Sequence, residues 1–221
     1  MLLKFKQPMM DVKQAYNIWA DQYDSNSNKT RDLEAISLRT TLADVSFDNC
    51  LEIGCGTGKN TEWLVGKAKQ VTAVDFSDEM LAKAKGKIKA DNVQFVHADI
   101  TESWAFAHKQ YDLVTFSLVL EHIENLEDIF KKLSKVIAQN GNVYIGELHP
   151  FKQYTGTKAR FDTADGQQVV TCFNHNMSDF TMAAKNNGFE IVDMAEYFDD
   201  NDRTVLPRIL MLLLRRKLNY E

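Results

Sequence analysis

Three glycines stand close together after a short apolar run in the segment CLEIGCGTGKN, at Gly54, Gly56 and Gly58. Gly54 permits a tight turn, Gly56 has no side chain to keep a ligand off the backbone, and Gly58 opens a helix whose free N–H groups attract electron-rich groups. The spacing is GxGxG, shorter than the GxGxxG of dinucleotide-binding loops. It predicts a nucleotide-binding loop between a strand and a helix, with a purely structural turn as the alternative.

Two aspartates follow the next two apolar runs, Asp75 in AVDFS and Asp99 in VHADI. Asp75 lies 21 positions after Gly54, a separation that suits a carboxylate binding the two hydroxyls of a ribose. Asp99 is placed to accept a hydrogen bond from the exocyclic amine of adenine. A helix cap or a surface position is the alternative for Asp75, and an ordinary turn residue is the alternative for Asp99.

Apolar runs alternate with amphipathic stretches along the chain, which puts these residues at the ends of strands. Strands are predicted at 50–54, 70–75, 93–97, 111–116 and 142–147, and helices between them at 59–67, 78–89 and 125–139, with a weaker one in 98–110. Two more helices, at 11–23 and about 29–45, precede the first strand. This order predicts an α/β fold with a parallel sheet covered on both faces, whose ligand crevice lies at the carboxyl ends of the strands.

The residues after Pro150 differ in character from this core. ARFDTADGQQVVTCF predicts a hairpin that turns at ADGQ, and MSDFTMAAKNNG predicts a helix capped by Ser178 and ended by Gly188. FEIVDMAEYF and RTVLPRILMLLLRR follow as a final antiparallel pair. The second of these runs is too short, and too interrupted by Pro207 and Arg208, to span a bilayer, so we expect a buried strand and no membrane partner.

The composition restricts the class of protein. With 221 residues, 44% of them hydrophobic, the chain can bury a core as one domain. Its net charge is −5 and its Lys and Arg residues are scattered, so no nucleic-acid partner is expected.

The three cysteines, Cys50, Cys55 and Cys172, are too few and too separated for a disulfide framework or a CxxC zinc site, which favours reduced thiols and no metal. The N-terminus MLLKFKQPMM lacks the apolar region of a secretory signal, which predicts a cytoplasmic location.

Four motifs in order, LEIGCGTG, VDFS, HADI and YDLVTFSLVLEHI, resemble those of the class I S-adenosylmethionine-dependent methyltransferases over about 47–148. The resemblance implies a doubly wound, seven-stranded, mostly parallel, Rossmann-like sheet, with S-adenosylmethionine as cofactor. We expect one domain over 1–221. Its parts are an N-terminal helical lid (1–46), a cofactor-binding core (47–148), a substrate-side insertion before the last strand pair (149–188) and closing antiparallel strands (189–221).

The resemblance also implies roles for individual residues. Glu52 would support the turn, and the cofactor loop would consist of Gly54, Cys55, Gly56 and Gly58. Asp75 would bind the ribose, and Ser117 would face the substrate entrance. The adenine would be surrounded by Phe76, Asp99 and Ile100. In the N-terminal stretch AYNIWADQYDSN, Tyr16, Trp19 and Tyr23 are lid candidates. Because these three fall at i, i+3 and i+7, an ordinary packing stripe is an equal alternative.

A small-molecule acceptor is expected, because SLVLEH replaces the Asn/Asp-Pro-Pro-Tyr motif of base and glutamine methylases and no Pro-Cys dipeptide is present. A sulfonium methyl needs orientation more than it needs a base. The candidate bases are His149, His122 and His175, with His149 first because it follows the fifth strand; an ordinary structural role is the alternative for each.

Two other functions stay open at this point. A non-catalytic binder of S-adenosylmethionine would keep the same glycines and Asp75, and a nicotinamide oxidoreductase, which is less favoured, would use the same strand–loop–helix unit. A monomer or a homodimer is expected.

Overall fold

The computed structural model describes residues 10–164 and 166–217. The helices in these ranges are α1 (Val12–Tyr23), α2 (Lys29–Thr41), α3 (Thr61–Leu64), α4 (Asp78–Lys87), α5 (Leu126–Val136), α6 (Pro150–Tyr154) and α7 (Met177–Asn186). The strands are β1 (Asn49–Ile53), β2 (Gln70–Asp75), β3 (Val93–His97), β4 (Tyr111–Ser117), β5 (Ile137–Leu148), β6 (Arg160–Thr163), β7 (Gly166–Val169), β8 (Phe189–Tyr197) and β9 (Ile209–Arg216). No helix among the described residues is long and apolar enough to cross a membrane.

One sheet contains seven of these strands, in the order β3-β2-β1-β4-β5-β9-β8. The first five pair in parallel, whereas β9 runs antiparallel to both β5 and β8. β6 and β7 form a separate antiparallel hairpin. The predicted doubly wound, seven-stranded, mostly parallel sheet with an insertion before the last strand pair is therefore confirmed. The strand order reverses between β1 and β4, which is where such a sheet binds its ligand.

Helices cover both faces of the sheet. The amphipathic helix α5 begins after Asn125, whose side chain accepts from the Asp128 N–H, and α7 packs beside it on the same face. The stripe that α5 buries consists of Leu126, Ile129, Phe130, Leu133 and Val136. Fully burying one such side chain stabilises the fold by about 1.5–3 kcal/mol. The opposite face is covered by α2, α3 and α4, each through a buried leucine.

Three predicted helices differ from the structure. The stretch 98–110 forms turns, in which the indole Nε1–H of Trp104 donates to the carbonyl oxygen of Ile100 at 2.9 Å. The predicted helix 59–67 is shortened to α3. The predicted helix 125–139 ends at Val136, because Ile137 already pairs with Tyr111 of β4. Gly141, which the sequence suggested as a stop after that helix, therefore lies inside β5.

The N-terminal cap of α7 was also predicted wrongly. Asn176, rather than Ser178, precedes the helix, and its backbone N–H donates to Oδ2 of Asp179 at 2.7 Å. The C-terminal end agrees with the prediction, since Gly188 follows the helix with a φ of 78°. The final apolar run forms the buried strand β9, as predicted.

The helix α1 lies against the β6–β7 hairpin. The rings of Trp19 and Phe161 stack with their centroids 5.1 Å apart, and the side-chain amide of Gln22 donates to the carbonyl oxygen of Asp162 at 2.7 Å. An isolated bridge joins Met10 to Val170 beside these contacts. Two segments far apart in sequence thus form one layer, here called the α1–hairpin layer.

Candidate active site

A cavity of about 270 Å³ opens at the carboxyl ends of β1 to β4. This is the point where the strand order reverses, so the fold and the cavity agree on the place of the ligand. Residues named from the sequence line much of it: Tyr16, Tyr23, Gly54, Gly56, Asp75, Phe76, Asp99, Ile100, Ser117 and His122. A smaller cavity of about 50 Å³ shares Tyr23, Gly54, Gly56 and Ser117 with it.

The glycine loop brings its backbone to the cavity wall. Gly54 has a φ of 71° and donates its N–H to the carbonyl oxygen of Val74 at 2.8 Å. A Cβ on Gly54 would lie 2.2 Å from Cγ2 of Val119, so the absence of a side chain lets the segment after β4 pack directly on the loop. A Cβ on Gly56 would meet no atom within 4 Å. That open space beside the Gly56 backbone is available to a ligand.

Gly58 serves the fold rather than the cavity, which corrects the role expected for it. A Cβ at this position would lie 2.7 Å from Cδ1 of Ile88 and 3.3 Å from Cβ of Ala84, so the loop packs closely on the end of α4. Gly58 does not line either cavity. Cys55 is buried and lines the smaller cavity.

Asp75 stands at the centre of the loop's hydrogen bonds. Its Oδ2 accepts the Gly56 N–H at 2.7 Å and its Oδ1 accepts the Ser77 N–H at 2.9 Å. Burial raises the pKa of the Asp75 carboxyl, although these N–H groups favour the ionised form. Each oxygen keeps a further lone pair, so the carboxylate can accept from ligand hydroxyls while it fixes the loop.

Apolar and acidic groups meet at the end of the cavity near β3. Phe76 and Ile100 supply apolar wall, and Ile123 lies with them. The Oδ1 atom of Asp99 accepts from the backbone N–H of Thr101 at 2.8 Å and from its hydroxyl at 2.6 Å. Because both bonds use one oxygen, Oδ2 is available to accept from a ligand amine. This set of groups suits a flat base with an exocyclic amine.

The smaller cavity has polar walls, and sequence reasoning missed half of the residues that line it. Glu34 is 2% exposed; its Oε2 accepts from Nδ2 of Asn60 at 2.9 Å and its Oε1 accepts from the Tyr144 hydroxyl at 3.1 Å. Burial raises the pKa of Glu34. The buried Nε of Arg31 and Oδ1 of Asn60 have no hydrogen-bond partner among the described residues. The residues that line this cavity therefore include both hydrogen-bond donors and acceptors.

Glu52 supports the loop from the strand side, as the resemblance implies. Its Oε2 accepts from the hydroxyl of Thr61 at 2.5 Å, and only 3% of the residue is exposed. Burial, reinforced by the charges of Glu34 and Asp75, raises the pKa of Glu52 to about 8. A neutral carboxyl group therefore predominates there at pH 7.

The aromatic residues of α1 divide between packing and cavity. Trp19 is 5% exposed and stacks on Phe161, so it follows the packing alternative. Tyr16 and Tyr23 line the cavity. The guanidinium carbon of Arg31 lies 3.9 Å from the centroid of the Tyr23 ring, a cation–π contact that fixes this ring against α2.

His122 is the one predicted histidine that reaches the cavity. Its Nε2 lies 2.8 Å from the Tyr16 hydroxyl and its Nδ1 lies 2.7 Å from the carbonyl oxygen of Thr171. Because a carbonyl only accepts, we assign the ring proton to Nδ1, which leaves Nε2 to accept the Tyr16 proton. Burial raises the pKa of the Tyr16 hydroxyl well above its usual range, so this phenol stays protonated.

The structure does not bring His149 or His175 to the cavity. The side chain of His149 is fully buried: Nδ1 accepts the Phe151 N–H at 3.1 Å as the N-cap of α6, and Nε2 donates to Oε1 of Glu196 at 2.9 Å. His175 is buried, and its Nε2 donates to the carbonyl oxygen of Ile123 at 2.7 Å. Both rings hold backbone segments, so the geometry gives no support to their expected part in catalysis.

Glu121 and Cys172 flank His122, and one donor atom of each of these three residues lies within 4.8 Å of the others. Carboxylate, imidazole and thiol are metal-ligand types. Both ring nitrogens of His122 already have hydrogen-bond partners, however, and burial raises the pKa of the Cys172 thiol. These contacts of His122 are those of a hydrogen-bonded histidine rather than of a metal ligand.

Comparison with known proteins agrees with the fold. A family model described as a methyltransferase domain matches residues 51–145. The malonyl-[acyl-carrier protein] O-methyltransferase of Priestia megaterium is 28% identical over 169 residues, which are 74% of this chain and 56% of that protein. This chain thus spans little more than half the length of that relative. An uncharacterized methyltransferase of Emericella nidulans is 24% identical, with 92% of this chain and 84% of that protein covered.

Solved structures give the same result. DhpI in complex with SAH superposes with a TM-score of 0.73 and 25% identity, covering 92% of this chain and 94% of that one. The N-methyltransferase NodS from Bradyrhizobium japonicum, in complex with S-adenosyl-L-homocysteine, superposes with a TM-score of 0.69 and 19% identity over 92% of this chain and 97% of that one. The strand order, the glycine loop and these matches together show the Rossmann-like fold of the class I S-adenosylmethionine-dependent methyltransferases, and the match over residues 51–145 identifies a methyltransferase domain.

Proposed function

We propose that this protein transfers a methyl group from S-adenosylmethionine to a small-molecule acceptor that binds between α1 and the segment after β4. The observation that carries the proposal is the cavity at the switch point of the sheet, with a bare glycine backbone on one side and Asp75 and Asp99 on two others. Its volume of about 270 Å³ is near the lower end of ligand pockets.

The residues present fit this cofactor. Asp75 would bind the ribose hydroxyls, Asp99 the exocyclic amine of the adenine, and Phe76 and Ile100 the faces of the base. Gly56 leaves space for the chain that connects the ribose to the sulfur. The position of each group in the cavity wall supports these roles.

The smaller cavity suits the amino-acid end of the cofactor. Its unpartnered Nε of Arg31 can donate to a carboxylate, and Lys59 adds positive charge to the same wall. The unpartnered Oδ1 of Asn60, with Glu34 beside it, can accept from an ammonium group. A zwitterion would thus satisfy two buried polar atoms at once, each of which costs about 1–3 kcal/mol when left unpaired.

The acceptor side of the cavity is formed by Tyr16 and His122. The cofactor supplies, when bound, a methyl group already activated on a sulfonium. The chain then has to hold the acceptor in line, exclude water and take a proton where the acceptor carries one. Because Nε2 of His122 accepts from the Tyr16 hydroxyl, a proton taken from the acceptor by the Tyr16 oxygen can pass on to Nε2. Oε1 of Glu121, 4.0 Å from Nε2, would stabilise the resulting imidazolium.

The α1–hairpin layer and α2 would act as the lid over this site. The division into a lid at 1–46, a core at 47–148, an insertion at 149–188 and closing strands at 189–221 belongs to the same proposal. A cytoplasmic location is also proposed, since Cys50, Cys55 and Cys172 are free thiols. Whether the chain acts as a monomer or a homodimer stays a prediction.

The experiment that tests the function has two steps. Isothermal titration with S-adenosylmethionine, with S-adenosylhomocysteine and with NAD measures which ligand binds; micromolar binding of the first two and none of NAD is expected. Incubation of the protein and methyl-labelled cofactor with metabolite extracts, followed by mass identification, then finds the labelled product. If S-adenosylmethionine binds and stays intact but no labelled product forms, the non-catalytic binder is favoured instead.

A further inference from the structure

Glu147 is a buried carboxylate that the proposed mechanism does not use. It lies near the end of β5, is 1% exposed and faces the segment that follows β4. Its Oε1 accepts the backbone N–H groups of Val119 at 2.9 Å and of Leu120 at 2.8 Å, and its Oε2 lies 3.4 Å from the N–H of Glu121. Three consecutive backbone donors thus point at one side chain.

The segment that Glu147 holds is strained and short. Leu118 has a φ of 58°, in the left-handed region that a leucine rarely adopts. A single 3₁₀ turn follows at Leu120–His122, with no side-chain cap from its own N-cap residue, Val119. Its first N–H groups would be buried without partners if the carboxylate were absent, and such groups cost about 1–3 kcal/mol each. Glu147 therefore takes the place of the missing N-cap from a neighbouring strand.

The same segment connects the cofactor loop to the acceptor side. Val119 packs where Gly54 has no side chain, and His122 at its other end bonds to Tyr16. Both Val119 and His122 line the cavity. A displacement of this turn would therefore move the imidazole relative to the loop that binds the cofactor.

We propose that Glu147 is a positioning residue that fixes the turn at Leu118–His122 and, through it, sets the place of His122 against Tyr16. This inference rests on the proposed function for its catalytic meaning, while the contacts it describes are independent of any substrate. Burial and the charge of Glu121 raise the pKa of Glu147 to about 8, although the backbone N–H groups favour its ionised form. In either protonation state Oε1 can accept from both Val119 and Leu120, so the contact depends on the reach of the side chain.

The position of the proton on each histidine ring directly measures whether a change at Glu147 affects His122. Of the three rings described above, His122 carries its proton on Nδ1, whereas His149 and His175 carry theirs on Nε2. Long-range ¹H–¹⁵N correlation spectra of histidine-labelled protein distinguish the two tautomers. In Glu147→Ala, which removes the acceptor, we expect the His122 signals to shift or to change tautomer, while those of His149 and His175 stay as in the parent.

Amide exchange provides the second readout. Exchange of the Val119 and Leu120 amides should be at least tenfold faster in Glu147→Ala, while the Cys55 amide, bonded to the Val74 carbonyl oxygen at 2.9 Å, keeps its rate. Glu147→Asp, which keeps the carboxyl group but not the reach, should act in the same direction and serves if the alanine variant does not fold. If the variants only lower the melting temperature and leave the His122 signals and the two amides unchanged, Glu147 has a purely structural role. Titration of the parent with S-adenosylmethionine tests the proposed function separately.

Discussion

The hydroxyl oxygen of Tyr16 lies 2.8 Å from Nε2 of His122, although 106 positions separate the two residues in the sequence. The contact joins α1 to the turn after β4 and closes the acceptor side of the cavity. Their rings meet edge to face with centroids 5.4 Å apart, so the pair is held by packing as well as by the hydrogen bond.

Removing this pair should affect turnover more than cofactor binding. Once the acceptor is identified, Tyr16→Phe and His122→Gln should each lower kcat by roughly 10²-fold, the low end for a positioned proton acceptor. His149→Ala is the matched control, because its ring caps α6 outside the cavity. We expect it to lower the melting temperature, with kcat within a few-fold of the parent. A loss of kcat in His149→Ala that exceeds the loss in His122→Gln would return the catalytic role to His149.

Asp75→Ala should weaken binding of both S-adenosylmethionine and its demethylated product by about 1.5–3 kcal/mol, the scale of a hydrogen bond to a charged group. The variant loses the ribose partner and also the acceptor for the Gly56 N–H. Asp78→Ala, at the exposed start of α4, is the control and should leave both affinities unchanged. Calorimetric titration measures both. Equal curves for Asp75→Ala and the parent would remove Asp75 from the site.

Gly56→Ala and Gly58→Ala separate a ligand contact from a fold contact. Both positions have positive φ, 53° and 86°, so each alanine carries about 1–2 kcal/mol of backbone strain. Only the Gly58 side chain would also overlap Ile88. We therefore expect the larger loss of melting temperature in Gly58→Ala and the larger loss of cofactor affinity in Gly56→Ala. The reverse order in both measurements would mean that the Gly56 backbone does not face the cofactor.

The stability of the chain should depend on pH through Glu52. The pKa of Glu52 is about 8 in the folded chain against an ordinary value of 4.5, so folding takes up a proton at pH values between these two. The contribution of Glu52 therefore opposes folding more and more as the pH rises from about 4.5 to about 8, and is constant above that. Glu52→Gln should raise the melting temperature at pH 8.5 and change it little at pH 4.5. A gain of the same size at both pH values would show that the pKa is not raised.

The cofactor half of the site could be predicted from the sequence because its residues are local to strand ends. Gly54, Gly56, Asp75 and Asp99 each follow a short apolar run, and a parallel sheet brings such ends together. The periodicity that predicted a helix through 125–139 gave no sign that Ile137 would pair with β4, since helical spacing and sheet pairing use the same apolar side chains.

Other parts of the site depend on contacts between distant segments, and local patterns carry no signal for these. Glu34 is an ordinary helix residue in sequence, yet α2 buries it against Asn60. His149 was the first candidate because it follows the fifth strand, but the chain turns into α6 at Pro150 and the His149 ring meets Glu196 instead of the cavity. His122, a candidate that the sequence ranked after His149, is placed at the cavity by the turn that Glu147 contacts.

The α1–hairpin layer has a consequence for the rate at which ligands exchange. Since Trp19 stacks on Phe161 and Gln22 bonds to Asp162, α1 cannot leave the cavity alone without breaking its contacts with the hairpin. Exchange of the cofactor should then require a joint opening of both segments, a motion of the microsecond-to-millisecond class. Affinity, in contrast, depends on groups of the sheet edge such as Asp75, which need not move. Residence time and binding strength are thus determined by different parts of the chain.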